Sequence, residues 1–131
     1  MTSIADTRLL VTLEFPPNLE IKQKTKALIE KELRDRLVVP TIVLTEFIEI
    51  AGARIGEEAA KNRLRLLKDH GMVIAPLDEE CALVAGSLLL SHRSVPAADA
   101  IIASYIKTGA AEYVITDDPH FKVLCIKTRW L

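Results

Sequence analysis

The sequence predicts an α/β fold: a three-layer α/β/α sandwich around a central, mostly parallel sheet of four to five short strands. Two observations carry this expectation. The strand-like segments, such as Leu37-Val38-Val39 and Tyr113-Val114-Ile115-Thr116, are short and apolar on both faces, as strands covered from two sides must be. Long helix-like segments separate them, which parallel neighbours need for their crossovers.

The elements follow in order. Ile4-Ala5 ends a short first strand before Asp6, and Thr7 to Leu13 reads as a helix stopped by Phe15-Pro16-Pro17. Residues 19–35, rich in Lys and Glu, form a helix with Ile21, Leu28 and Leu33 as its apolar stripe. After the strand at Leu37–Val39, helices cover about 41–55 and 57–69, the second ended by a left-handed cap at His70-Gly71. Met72 to Ala75 is a third strand, and Asp78 caps a helix running to about Ser91. Pro96 opens the next helix and Gly109 closes it. Tyr113 to Thr116 is the fourth strand, Asp118-Pro119 starts a turn, and Val123 to Lys127 is the expected fifth strand.

Length and composition bound the function. The 131 residues suit one domain spanning 1–131, and 50% apolar content excludes a disordered chain. Two cysteines, Cys81 and Cys125, without a CxxC pair exclude a disulfide scaffold or zinc ribbon; both lie in apolar segments and read as inert core thiols. The start Met1-Thr2-Ser3-Ile4-Ala5-Asp6 has no basic leader, and the longest apolar stretch, Cys81 to Leu90, is about half a membrane span. A soluble, cytoplasmic protein with no membrane partner is expected. The net charge of -1 argues against an ordinary cationic nucleic-acid binder.

The informative residues are acids. In open α/β sheets, ligands bind beyond the carboxyl ends of the strands, where strand order reverses. Asp6 follows the first strand, Asp117 and Asp118 follow the fourth, and Asp99 lies in the first turn of the helix opened by Pro96. Glu46 stands among apolar neighbours between Thr41 and Ile50. Each has an ordinary alternative: Asp6 and Asp99 as helix N-terminal acids, Asp117-Asp118-Pro119 as a turn, Glu46 as a solvent-facing side chain. Gathered together they would repel one another, and a hard divalent cation such as Mg²⁺ or Mn²⁺ resolves that conflict.

Four segments resemble the PIN-domain family, and in particular the small VapC toxins of prokaryotic toxin–antitoxin pairs. They are Ala5-Asp6-Thr7, Thr45-Glu46-Phe47, Val95-Pro96-Ala97-Ala98-Asp99-Ala100-Ile101-Ile102-Ala103 and Tyr113-Val114-Ile115-Thr116-Asp117-Asp118-Pro119-His120-Phe121, the last two being the specific ones. The resemblance implies a PIN-like fold and an endoribonuclease dependent on one or two Mg²⁺ or Mn²⁺ ions. It implies Asp6, Glu46, Asp99 and Asp118 as ligands, with Thr116, and Thr7 beside Asp6, orienting a carboxylate or water. The family spacing of two residues after the threonine selects Asp118; Asp117 is an additional acid, and either could reach the metal. An antitoxin partner and a homodimer are also implied.

Other residues have weaker cases. Arg8 either faces solvent, touches a substrate phosphate or pairs with a site acid; His120 reads as a turn-packing side chain beside Phe121 rather than a proton carrier; Lys22, Lys24 and Lys26 read as a solvated helix face. Rival functions are a PIN nuclease of RNA processing or decay, a catalytically silent module that binds RNA or protein, and a phospho-receiver. The silent module has no chemical need for four mutually repelling acids, and the receiver would need paired acids after the first strand. Setting aside Asp6, Glu46, Asp99, Asp117 and Asp118 leaves 13 acids against 17 bases, so the rest of the chain is cationic by four. A local, metal-dependent RNA site is compatible with that balance.

Overall fold

A computed structural model describes all 131 residues. Five strands, β1 (Ser3–Ala5), β2 (Leu37–Pro40), β3 (Val73–Ala75), β4 (Tyr113–Ile115) and β5 (Thr128–Arg129), form one sheet in the order β3-β2-β1-β4-β5. Every neighbouring pair is parallel, with Ile4 of β1 facing Val38 on one side and Val114 on the other. Seven helices connect them: α1 (Thr7–Glu14), α2 (Leu19–Asp35), α3 (Thr41–Ile55), α4 (Glu57–Asp69), α5 (Glu79–Ser91), α6 (Ala97–Lys107) and α7 (His120–Val123). Right-handed crossovers place α1 to α4 on one face and α5 to α7 on the other. Every residue of β1, β2 and β4 is consequently buried, which explains their unbroken apolar character. No helix is long and apolar enough to cross a membrane.

Local chemistry sets the element ends. Asn18 accepts from Ile21 N at 2.8 Å to start α2, and Asp78 accepts from Cys81 N at 2.8 Å to start α5. Gly71 and Gly109, which follow α4 and α6, adopt φ of 107° and 83°, a region that costs other residues more. The strand order matters most for function. From β1 the chain moves outward through β2 and β3, then returns to the other side of β1 for β4. The carboxyl ends of β1 and β4 therefore flank a topological switch point, the place where such sheets bind ligands.

Three expectations need correction. Val123 to Lys127 is not a strand: α7 ends at Val123, and β5 is only Thr128–Arg129. Phe121 and Leu124 are buried three residues apart, a helical spacing, and Cys125 at φ 57° then turns the chain toward the sheet edge. Cys125 is also exposed; only Cys81 is a core thiol. On α2 the fully buried face is Thr25, Ile29 and Glu32, while Ile21, Leu28 and Leu33 are half-buried flanks.

Glu32 is 1% exposed and satisfied by long-range donors. Tyr113 Oη donates to both carboxylate oxygens at 2.8 Å, and Ser3 Oγ donates to Oε2 at 2.9 Å. This ties α2 to β1 and β4 beneath the sheet's central pair. Burial, then the neighbouring Glu32, pushes the Tyr113 phenol up to about 12, so it remains a donor across the neutral range. Tyr113→Phe removes a donor from a buried acceptor and should cost about 1–3 kcal/mol. A lower urea midpoint with unchanged slope is the expected result; an unchanged midpoint would show that the bond contributes nothing net.

Candidate active site

The switch point opens into a cavity of about 430 Å³ whose lining includes Asp6, Glu46, Asp99 and Asp118. Four different parts of the fold deliver them: the end of β1, the second turn of α3, the first turn of α6 and the loop after β4. Asp6 is 4% and Asp99 8% exposed, so their charges are withdrawn from water.

Two threonines fix the first pair. Thr116 Oγ1 donates to Asp6 Oδ2 at 2.7 Å, and Thr7 N donates to Asp6 Oδ1 at 2.7 Å. Asp6 thus serves as helix N-cap and cavity acid at once, so those two readings of it are compatible. Thr7 Oγ1 reaches across to Glu46 Oε1 at 2.6 Å. Thr116 Oγ1 also accepts from Asp118 N at 3.0 Å, and Asp118 Oδ1 accepts from His120 N at 2.9 Å. The result is one hydrogen-bonded frame across β1, β4 and the loop that follows.

Sequence reasoning underweighted His120. Its Nδ1 lies 2.8 Å from Asp118 Oδ1 and 3.1 Å from Asp99 Oδ2, inside the acid cluster rather than packed merely against Phe121. Neither approach has the direction of a hydrogen bond, leaving Asp99 Oδ2 and His120 Nδ1 buried without a partner. Asp99, Asp118 and His120 each offer a ligand atom within 4.8 Å of the others. Helical periodicity gives no signal for His120; its placement depends on the turn that Asp118 starts.

Asp117 does not line the cavity. Its Oδ1 pairs with Arg8 Nε at 2.7 Å, while Asp118 lines the cavity. Of the two adjacent acids, only Asp118 lines the cavity with Asp6 and Asp99, held by its bonds to Thr116 and His120 N, while Asp117 pairs with Arg8. Arg8 is therefore not simply solvent-facing. Lys22, Lys24 and Lys26 are all exposed on α2.

The cluster's electrostatics call for a cation. Burial, followed by repulsion from Asp118 and Asp6, pushes the Asp99 carboxyl up to about 7; nearby His120 opposes the shift, and Glu46 adds to it. Burial also raises Asp6, with Asp118 and Glu46 adding to the shift against the bonds from Thr116 and Thr7. Oxygen-rich, buried and incompletely hydrogen-bonded, this donor set fits a hard divalent cation such as Mg²⁺ or Mn²⁺.

A test follows from the sign of these shifts. A carboxyl whose folded value is raised binds its proton more tightly when folded, so its stabilisation is complete below about pH 4 and lost as pH rises through about 7. Metal-free protein should melt lower at pH 8 than at pH 5, and Asp99→Asn should reduce that loss. At pH 8 the variant should melt about 3–6 °C above the parent, the shift that about 1 kcal/mol gives a chain of this size. Mn²⁺ should stabilise the parent more at pH 8 than at pH 5, since it binds the deprotonated acids. Melting curves at both pH values check this; identical pH profiles for parent and variant would refute it.

Comparisons with known proteins bear on the fold and the family. No curated protein sequence matches the chain. Among solved structures, the chain is similar to VapC20 of Mycobacterium tuberculosis, described as a sarcin-ricin loop cleaving toxin (TM-score 0.77, 15% identity, 95% of each chain covered). It is also similar to a chain of VapBC2 from Rickettsia felis, solved with a DNA fragment from the promoter (TM-score 0.76, 16% identity, 99% of this chain and 98% of that one). A third is a chain of FitAcB from Neisseria gonorrhoeae (TM-score 0.69, 19% identity, 96% and 95% covered). At these identities the likeness speaks for the fold. A family model for the PIN domain matches residues 5–127, nearly the whole length, and the chain belongs to the PIN-domain family.

Proposed function

We propose that this protein is a metal-dependent endoribonuclease, the toxin of a type II toxin–antitoxin pair. The observation that carries the reading is the convergence of Asp6, Glu46, Asp99 and Asp118 on one cavity, with Asp99 Oδ2 buried and unpartnered. Similarity in fold to a toxin described as cleaving the sarcin-ricin loop supports RNA as the substrate. Likeness to chains from VapBC and FitAB assemblies favours a small antitoxin partner over a role in RNA processing or decay. A cytoplasmic homodimer is part of the same reading.

Asp6, Glu46, Asp99 and Asp118 would hold one or two Mg²⁺ or Mn²⁺ ions. When bound, such ions lower the pKa of water and neutralise charge on a phosphodiester undergoing in-line displacement. The chain's own residues supply orientation. Thr116 and Thr7 N hold both oxygens of Asp6, and Thr7 Oγ1 holds Glu46, so neither carboxylate is free to rotate. Each of these three bonds uses one lone pair of its acceptor oxygen and leaves another for a ligand. His120 Nδ1 lies beside both Asp99 and Asp118, and burial with repulsion from the neighbouring acids, which pushes the Asp99 carboxyl up to about 7, is what a bound cation would relieve.

Single-stranded and structured RNA should be cleaved with Mg²⁺ or Mn²⁺, and EDTA should abolish the activity. Asp99→Asn should remove it, and Thr116→Val, which frees Asp6 from its hydroxyl clamp, should lower it about 10–100-fold. Activity surviving full chelation, or equal cleavage by parent and Asp99→Asn, would end the metal-nuclease reading.

A further inference from the structure

An acidic cavity repels the polyanion it is to cut, so a cation at its wall has particular value. Arg8, in the first turn of α1, is the one Lys or Arg lining the cavity. Its guanidinium is already engaged: Asp117 Oδ1 pairs with its Nε at 2.7 Å. Both side chains are about half exposed, at 53% and 43%, which makes the pair weak and exchangeable. The two non-bridging oxygens of a phosphodiester, which share one negative charge, match the planar fork of Arg.

We propose that Arg8 binds an RNA phosphate at the cavity wall, and that Asp117 is a built-in competitor which that phosphate must displace. The proposal rests on RNA being the substrate. Asp117 and Asp118 thus divide their work: one faces the cavity, the other holds its cation in the absence of substrate. This arrangement lets a bound phosphate take over the guanidinium, while anions that bind more weakly lose to Asp117.

The test is equilibrium binding of a fluorescein-labelled single-stranded oligoribonucleotide, followed by anisotropy over a range of salt with Mg²⁺ present. Four proteins are compared in an Asp99→Asn background to prevent cleavage: the parent, Asp117→Asn, Arg8→Gln and the double variant. Asp117→Asn should bind about 3–10-fold tighter, as expected when a competing charge leaves a phosphate-binding arginine. Arg8→Gln should bind about 5–30-fold weaker and lose about 0.7 from the salt slope, the loss of one contact to a single strand. The double variant should bind like Arg8→Gln, because Asp117 acts only through Arg8. A gain from Asp117→Asn that persists without Arg8 would overturn the proposal, as would an Arg8→Gln protein with unchanged affinity and slope. No binding by any of the four would overturn it together with RNA as substrate. The expected binding pattern without cleavage by the wild-type chain would support the Arg8 site while removing the nuclease reading.

Discussion

The mutual repulsion of four carboxylates in one partly dry cavity is the constraint on which this structure turns. Burial raises the cost of ionising Asp6 and Asp99, Asp118 and Glu46 add to it at both, and Asp6 adds to it at Asp99. The fold meets part of that cost with a hydrogen-bonded frame. Thr116 spans β1 and β4 by holding Asp6 and receiving Asp118 N, and Thr7 links α1 to α3 through Glu46. Those bonds can be short and directional because the strands beneath are fully buried and Ile4 is paired on both sides. The Glu32–Tyr113 bond plays a separate part, anchoring α2 to β4 and hence helping to fix the strand that presents Thr116.

Much of this was legible in the sequence because it is local. The caps at Asn18, Asp78 and Gly71 are set by interactions spanning a few residues, and the strands by continuous apolar runs. The strand–helix alternation then gives a parallel sheet, and the four acids fall where such sheets bind ligands. What the sequence left hidden comes from distant partners. Nothing near Glu32 announces Ser3 and Tyr113, which lie 29 and 81 residues away, so the stripe on α2 read from apolar residues misses its true buried centre. The fifth strand failed for a different reason. A run such as Val123 to Lys127 carries strand propensity, but Phe121 and Leu124 have a helical spacing and their burial decides the conformation.

Net charge illustrates how an average conceals a site. A chain at -1 looks indifferent to nucleic acid, yet the acids concentrated around the cavity leave the remaining surface with a cationic excess. Repulsion between cavity and phosphate is therefore local, and divalent ions at the carboxylates would offset it there. The same reasoning accounts for the importance of a single arginine at the wall. Its effect on a phosphate is set by proximity and geometry rather than by its small share of total charge.

The two neighbouring aspartates show how backbone anchoring separates identical chemistry. Asp118 is fixed at both ends of a short turn: its N–H donates to Thr116 Oγ1 and its Oδ1 accepts from His120 N. That two-residue reach from threonine to aspartate aims Asp118 into the cavity and explains physically why the spacing carries information. Asp117 lies between the anchors and has neither bond. Its partly exposed carboxylate pairs with Arg8 instead. Exchanging the order of inward and outward acids would require Thr116 to release Asp118 N, and with it the hydroxyl that also holds Asp6. The selection of Asp118 is thus coupled to the orientation of Asp6, so the first and fourth acids of the cavity are positioned by one side chain.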